Sequence, residues 1–385
     1  MIKKSIPLSQ SVDPEVLERL RFYLPYVCEP ILSLEIVSGA RPEIRYTCAE
    51  ETSIALIEAM ARALLGGQEQ PEPLNPHHAR ALFDNRSAPC ACSHDILPEL
   101  LSGDHLIAFG PGQYGMGNLF LKTFKYFERE CARMTLKQNP QEFVYPNLIP
   151  RDLMEHTDYA NDQGRGYTWF TPSPPGGPIK PGDPIGPGDP IAPGDPAETP
   201  EHLGKPAVCL HCYPHFKQRA IDEPVTITTQ GRCYRYEGTD QFSPDRLWEF
   251  IMRESVYMGS PVFVRDSLKE IETLATEWMQ TLGLRAWVQA ADDPLQASGA
   301  SLAESETIPV KWELRIALPA SGTSLAAASF NYHAGHYSKP FGISEGGQPA
   351  ATGCAGFGIE RLTWGFLAQN GLDTDTWPDA IRKEL

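Results

Sequence analysis

Apolar positions along the chain mark out its elements before any chemistry is considered. Val16, Leu17 and Leu20 share a helical face behind Asp13, a capping residue, with Pro14 in the first turn, where a missing N–H costs nothing. A second amphipathic helix is predicted over 52–65, with Ile54, Ile57, Met60, Ala61 and Leu64 on one stripe and Gly66-Gly67 as its stop. The run 105–109 reads as an apolar strand. It is followed by Gly110-Pro111-Gly112-Gln113-Tyr114-Gly115-Met116-Gly117 and a helix to about Leu136. Strand, GxGxxG and helix outline a dinucleotide-binding turn. However, Pro111 stiffens the loop, and the sequence after the helix is proline-rich and extended, so a plain glycine-rich connection is the expectation. Strand-like segments from Pro206 to Leu318 surround one long helix near 265–282. Ile359, Leu362, Phe366 and Leu367 mark a last helix, ended by Gly371. These patterns predict an α+β fold with an N-terminal accessory unit over 1–105.

Composition changes this picture in three places. Residues 171–200 repeat Pro-Gly-Asp-Pro every six positions from Pro181, a segment short of backbone donors and of anything to bury; it reads as a solvated surface insert. The net charge of −16 over 385 residues disfavours broad non-specific binding of nucleic acid. No apolar run approaches the roughly 18–20 residues of a membrane helix, and the start Met1-Ile2-Lys3-Lys4-Ser5 leads into polar sequence, so a cytoplasmic protein with no membrane partner is expected. Nine cysteines, an odd number, then read as reduced thiols with a role in metal binding.

Candidate chemistry concentrates in two segments. Residues 231–237 read as a strand, 238–245 as a polar loop and 246–254 as a returning strand. Period two places Cys233, Arg235 and Glu237 on one face, and Trp248, Phe250, Met252 and Glu254 on one face of the return. The plain alternative is a surface hairpin with ordinary ion pairs. Near the end of the chain stands Gly353-Cys354-Ala355-Gly356-Phe357-Gly358-Ile359-Glu360-Arg361, a glycine-rich strand leading into a helix whose positive end suits a phosphate. Cys209-x-x-Cys212 could hold a structural metal with Cys233 or His211, although no second pair at finger spacing accompanies it. Cys90-Ala91-Cys92 has the wrong spacing for a metal.

Taken together, these segments resemble a known family. Arg235-x-Glu237, the loop and Arg246-x-x-x-Phe250 resemble motif 2 of the class II aminoacyl-tRNA synthetases. Gly356-x-Gly358-x-Glu360-Arg361 resembles their motif 3, and Phe143-Val144-Tyr145-Pro146 through Pro150 resembles motif 1, at the dimer interface. With Pro206-Ala207-Val208-Cys209-Leu210-His211-Cys212 and Ser329-Phe330-Asn331-Tyr332-His333, the chain is similar to the zinc-dependent, archaeal-type seryl-tRNA synthetases. It is most similar to their truncated relatives, the amino acid:[carrier protein] ligases, over roughly residues 110–370.

The resemblance implies a class II synthetase-like antiparallel sheet flanked by helices over 106–385, in a homodimer. It implies an ATP-dependent, AMP-forming ligase that activates a small amino acid (glycine, alanine or serine) as its adenylate. Arg235 would hold the α-phosphate, Arg246 and Arg361 the outer phosphates, Phe250 the adenine face and Glu237 the adenine end, with Leu247 in the same nucleotide-contacting set. Glu313 is a candidate contact to Mg²⁺ or ATP. Ser329, Asn331 and His333 would line the amino-acid pocket. Zn²⁺ would be held by Cys209, Glu254 and Cys354, its open fourth position taken by the substrate's amine, so that Glu254 also counts toward substrate binding. Two acids usual in the family are absent: the run after His333 is Ala334-Gly335-His336-Tyr337, and 322–328 contains none. Because only about 100 residues precede the core, with no basic helical arm, and the whole chain is acidic, the expected acceptor is the phosphopantetheine thiol of a carrier protein. A ligase charging tRNA, or an idle synthetase-like binding protein, are the alternatives.

Overall fold

The structure, a computed structural model, describes residues 1–8, 12–37, 42–65, 82–157, 166–170, 202–237, 243–291 and 310–384. The expected stop at Gly66-Gly67, the repeat at 171–200, the segment 292–306 and part of the loop 238–245 lie outside the described residues.

Seven strands form the central sheet, in the order Ala286–Ala290, Lys311–Leu318, Thr323–Ala334, Ala351–Gly358, Glu249–Gly259, Val225–Tyr234 and Gln141–Phe143. All neighbours run antiparallel except the last pair. Alternation decides what each face meets. On the strand Glu249–Gly259, Tyr257 joins the apolar cluster built with the helices Asn118–Leu136, Pro261–Thr281 and Ile359–Asn370, which includes Phe127, Ile271 and Phe366. Val256 and Met258 point the other way, into a second cluster with Leu210, Tyr213 and Ile227. Phe250, Met252 and Glu254 share the parity of Val256, so the side chains predicted to carry chemistry face away from the helical layer.

The helices end where local chemistry stops them. Ser260 Oγ accepts from Phe263 N at 3.2 Å and Pro261 occupies the first turn of the long helix. Gly371, at φ 70°, follows Asn370 in a conformation that only glycine adopts without strain. A separate antiparallel sheet, in the order Ile2–Pro7, Glu43–Cys48, Ile31–Val37, packs with the helices Pro14–Val27 and Ile54–Leu64 around Leu20, Leu24, Ile44 and Ile57.

Two expected boundaries shift. The return strand begins at Glu249, three residues later than expected, and its partner ends at Tyr234, before Arg235. The glycine-rich run after Phe109 is a hairpin, Leu106–Gly110 against Gln113–Met116, and no nucleotide-binding turn forms there. Its turn residue Gly112, at φ 64°, lies against the Trp248 indole, leaving no room for a side chain. No helix among the described residues is long and apolar enough to cross a membrane.

Candidate active site

Four adjacent strands bring the candidate residues together. Register sets Glu254 beside Gly356, Gly356 beside Ser329 and Ser329 beside Glu313, a single row across the sheet. The next row runs from Cys354 through Asn331 to Lys311. Cys209 reaches the first row from above, on the short turn Val208–His211. A cavity of about 140 Å³ opens over these rows. Its walls include Cys209, Arg235, Phe250, Glu254, Glu313, Ser329, Asn331, His333, Cys354 and Arg361 from the expected set. Glu237 and Leu247 line a smaller adjoining pocket, which shares Phe250, Gly358 and Arg361 with the first. Arg246 lines neither; it is half-exposed and pairs with Glu237 at 2.8 Å.

Ligand atoms of Cys209, Glu254 and Cys354 lie within 4.8 Å of one another, and all three residues are buried. Glu254 also accepts from the Cys209 backbone N–H. Burial, reinforced by the neighbouring Cys354, pushes the Glu254 carboxyl up to about 8. The hydrogen bond between the two sulfurs holds the Cys354 thiol low and the Cys209 thiol high. Such a trio of potential anions, sealed from water, calls for a cation, and two thiolates with one carboxylate are a donor set that suits a borderline-soft metal ion. Asn331 Nδ2 lies 3.5 Å from Cys354 Sγ, and His333 Nε2 lies 3.7 Å from it, so both brace the sulfur from the side. Gly356 lets the Glu254 carboxylate approach, since a Cβ there would sit 3.2 Å from Oε1. Among the described residues this is the group that could hold a metal. The alternative around Cys212 and Cys233 does not assemble, and both thiols are fully buried.

The cationic side chains are held from behind. Arg361 donates from Nε to Asp245 O at 2.9 Å and from Nη1 to Ala326 O at 3.2 Å. Burial lowers its pKa, and Arg235 adds to the effect, but it remains a guanidinium. Arg235 donates from Nε to Pro206 O at 3.0 Å, and its guanidinium carbon lies 5.1 Å from the Phe250 ring centroid. Two forked cations fixed by backbone carbonyls suit an anion with several oxygens.

Sequence reasoning passed over several residues that matter here. Lys311 and Tyr337 also line the cavity. Lys311 stands two positions before Glu313 on one strand, a period-two signal that could have found it. Glu360, marked in the sequence only as part of the motif 3 resemblance, is buried and accepts from Ile251 N at 2.9 and 3.0 Å. Lys205 is fully buried, with Nζ 3.4 Å from Tyr145 O, and lies where a Cβ on Gly231 would come within 2.7 Å. Nothing in the sequence around Lys205 signals its burial.

An antiparallel sheet brings two fixed guanidinium groups, an aromatic ring and a buried thiol–carboxylate cluster to one cavity, and the chain belongs to the class II aminoacyl-tRNA synthetase-like family. Its relatives place it more narrowly: it is homologous to type-2, archaeal-type serine–tRNA ligases and to an amino acid–carrier protein ligase. The type-2 serine–tRNA ligase of Methanococcus aeolicus is 31% identical over 301 residues, 72% of this chain and 56% of that protein. That of Methanocaldococcus jannaschii is 30% identical over 294 residues, again 72% of this chain and 56% of its own. Amino acid–[acyl-carrier-protein] ligase 1 of Bradyrhizobium diazoefficiens is 32% identical over 182 residues, 45% of this chain and 55% of its own length. The chain thus spans little more than half the length of these relatives. Among solved structures, M. kandleri SerRS in complex with A. aeolicus tRNASec matches at a TM-score of 0.66, covering 99% of this chain and 77% of that one at 19% identity. The cytoplasmic serine–tRNA ligase of Naegleria fowleri in complex with AMP matches at 0.58, covering 87% and 78% at 12% identity. No family model matches the chain.

Proposed function

We propose that this chain activates a small amino acid with ATP, forming an aminoacyl-adenylate and pyrophosphate. The observation that carries the reading is the convergence of Arg235, Phe250 and Arg361 with Cys209, Glu254 and Cys354 on one cavity, from segments more than a hundred residues apart. The amino acid's carboxylate, already an anion, attacks the α-phosphorus and pyrophosphate departs, so no general base is required. Charge gathers on the phosphoryl oxygens as this happens. Arg235 at the α-phosphate and Arg361 toward the leaving group, both fixed by backbone carbonyls, stabilise that charge without rearranging. The smaller pocket between Phe250 and Arg361, closed by Leu247 and Glu237, is the adenine subsite. Arg246, tethered through Glu237, reaches the outermost phosphates, and Mg²⁺ arrives with ATP as their counterion.

Cys209, Glu254 and Cys354 would hold zinc. Three such ligands would leave zinc open to a substrate's neutral amine, which would favour an amine next to a carboxylate. Asn331 and His333 keep the Cys354 sulfur oriented, and Ser329 anchors the Asn331 amide at 3.1 Å.

Two acceptors have support. Homology to type-2 serine–tRNA ligases supports transfer to a tRNA, and the resemblance of 143–150 to motif 1 supports two chains paired there as a homodimer. The carrier-protein ligase among the relatives, together with a net charge of −16 that disfavours a phosphate backbone, supports transfer to a phosphopantetheine thiol. Purified tRNA and holo-carrier protein, offered in parallel with radiolabelled amino acid, separate an ester from a thioester product. The activation step itself is tested by amino-acid-dependent exchange of pyrophosphate into ATP. Wild type should exchange, and Arg361→Ala should lose at least 100-fold while keeping its circular dichroism, since removing one preorganised donor costs about that much. Exchange at the wild-type rate in Arg361→Ala would remove the phosphate assignment.

A further inference from the structure

The cavity has two ends, and one of them carries a cation that the activation chemistry does not use. Along the strand Thr323–Ala334, the wall is formed in turn by Ala326, Ser329, Asn331 and His333. Arg361 belongs to the Ala326 end, where it donates to the Ala326 carbonyl. Lys311 belongs to the other end. Register places it beside Asn331, and Asn331 beside Cys354. The two levels lie four residues apart along the strand Lys311–Leu318, where Lys311 pairs with Asn331 and Arg315 with Ala326, about 13 Å at roughly 3.3 Å per extended residue. Lys311 is therefore at the amino-acid end and away from the phosphates.

Its position is built from behind. Lys311 Nζ lies 3.2 Å from Glu313 Oε1, and the other Glu313 oxygen lies 2.8 Å from Arg315 Nη1. Arg315 is fixed in turn by Ser324, through Nε to Oγ at 3.0 Å and Nη2 to the carbonyl at 2.9 Å. Each Glu313 oxygen thus faces a cation, an arrangement that suits holding a lysine and not a divalent ion.

We propose that Lys311 is a specificity-determining residue, donating to an oxygen on the side chain of the amino-acid substrate, with Glu313 and Arg315 as the positioning residues behind it. The proposal rests on the ligase reading above. In that reading the amine lies at Cys209, Glu254 and Cys354, and the carboxylate points toward Arg235 and Arg361. The remaining substituent on the α-carbon then runs across the sheet, over Ser329 and Asn331, to Lys311. Asn331 Nδ2 is already directed at Ser329 Oγ and Cys354. An ammonium has three N–H donors, so contact with Glu313 still allows a second acceptor. A hydroxyl or a carboxylate on a short side chain supplies that acceptor; a methyl group or a hydrogen does not, and forfeits that hydrogen bond.

The test measures pyrophosphate exchange with glycine, alanine, serine and aspartate for wild type, Lys311→Met, Lys311→Arg and Glu313→Gln, with zinc content read on each sample. Wild type should prefer serine or aspartate over alanine at least tenfold in kcat/KM, and which of the two leads tells hydroxyl from carboxylate. Lys311→Met should lose most of that preference through the KM for the amino acid, with zinc content and the KM for ATP unchanged. Lys311→Arg should retain part of it, and Glu313→Gln should fall between. A wild type that prefers alanine or glycine, or an unchanged ratio in a folded Lys311→Met, overturns the proposal alone. Absence of exchange with every amino acid overturns the ligase reading and takes this assignment with it.

Discussion

At the scale of single residues, the cluster of Cys209, Glu254 and Cys354 is where burial and charge conflict most. All three are at most 4% exposed, and charge on one opposes ionisation of the others: the Cys354 thiol is held low while Cys209 and Glu254 are pushed up. Cys212, three residues from Cys209, is equally buried but lies outside the trio that Cys209 forms with Glu254 and Cys354. A cysteine of the trio, such as Cys354, and Cys212 should therefore behave differently. Cys354→Ala should reduce zinc from about one per chain to near none, measured by atomic emission on desalted protein, whereas Cys212→Ala should keep it. Zinc retained by Cys354→Ala and lost by Cys212→Ala would move the metal to the other cysteine. The trio could be read from the sequence only through family likeness. Its members lie on three elements, and local spacing pointed equally well to Cys209-x-x-Cys212. Glu313 was also visible, but its partners were not, because the ion pairs to Lys311 and Arg315 depend on how one strand face is filled.

At the scale of elements, the helix Ile359–Asn370 is tied to the strand Glu249–Gly259 by one buried acid. Glu360 accepts from Ile251 N, and burial pushes its carboxyl from about 4.5 up to about 7. The folded value lies above the unfolded one, so the folded state binds the proton more tightly. The stabilisation is complete below about pH 4.5 and is lost as the pH rises through about 7, a change of up to ~3 kcal/mol. Glu360→Gln keeps an acceptor for Ile251 without a proton to lose. Its stability relative to wild type should therefore rise between pH 5 and pH 8, in urea titrations at each pH. Parallel profiles for the two proteins would show that Glu360 does not titrate in that window. The helix itself was legible, because Ile359, Leu362, Phe366 and Leu367 recur at its period and Gly371 ends it. Strand ends were less so. The return strand starts at Glu249 because its pairing with Tyr234 begins there, and Trp248 is drawn instead against Gly112 and Tyr236. Hairpin and nucleotide loop likewise share the pattern GxGxxG, and only the pairing of Leu106 with Met116 distinguishes them.

At the scale of the whole molecule, the N-terminal sheet and helices bear on the wall of the cavity. Arg265, 7% exposed, donates from Nη1 to Pro25 O at 2.7 Å and to Cys28 O at 3.1 Å, and from Nη2 to Ile31 O at 3.2 Å. Pro25 lies in the last turn of the helix Pro14–Val27, where unpaired carbonyls and the negative end of the dipole favour a guanidinium. Beside this clamp, Tyr332 donates to Phe22 O at 2.7 Å and stacks on Tyr26 at 4.1 Å between centroids. Tyr332 stands between Asn331 and His333, whose side chains alternate with it toward the cavity. Arg265→Met would remove its bonds to three buried carbonyls, of which Cys28 O keeps the Ile31 N–H, and each carbonyl left unpaired costs about 1–3 kcal/mol. The loss should appear first where contacts to the core are fewest. Amides over 14–37 should exchange with deuterium at least tenfold faster than in wild type, while those over 351–358, in the middle of the central sheet, keep their protection. Residues 329–334 should respond in between, because they share Tyr332 with the loosened helix. Uniform acceleration across all three stretches would mean that the clamp stabilises the molecule as one unit, and wild-type rates over 14–37 would mean that the apolar contacts around Leu20 and Leu24 hold the helix without it.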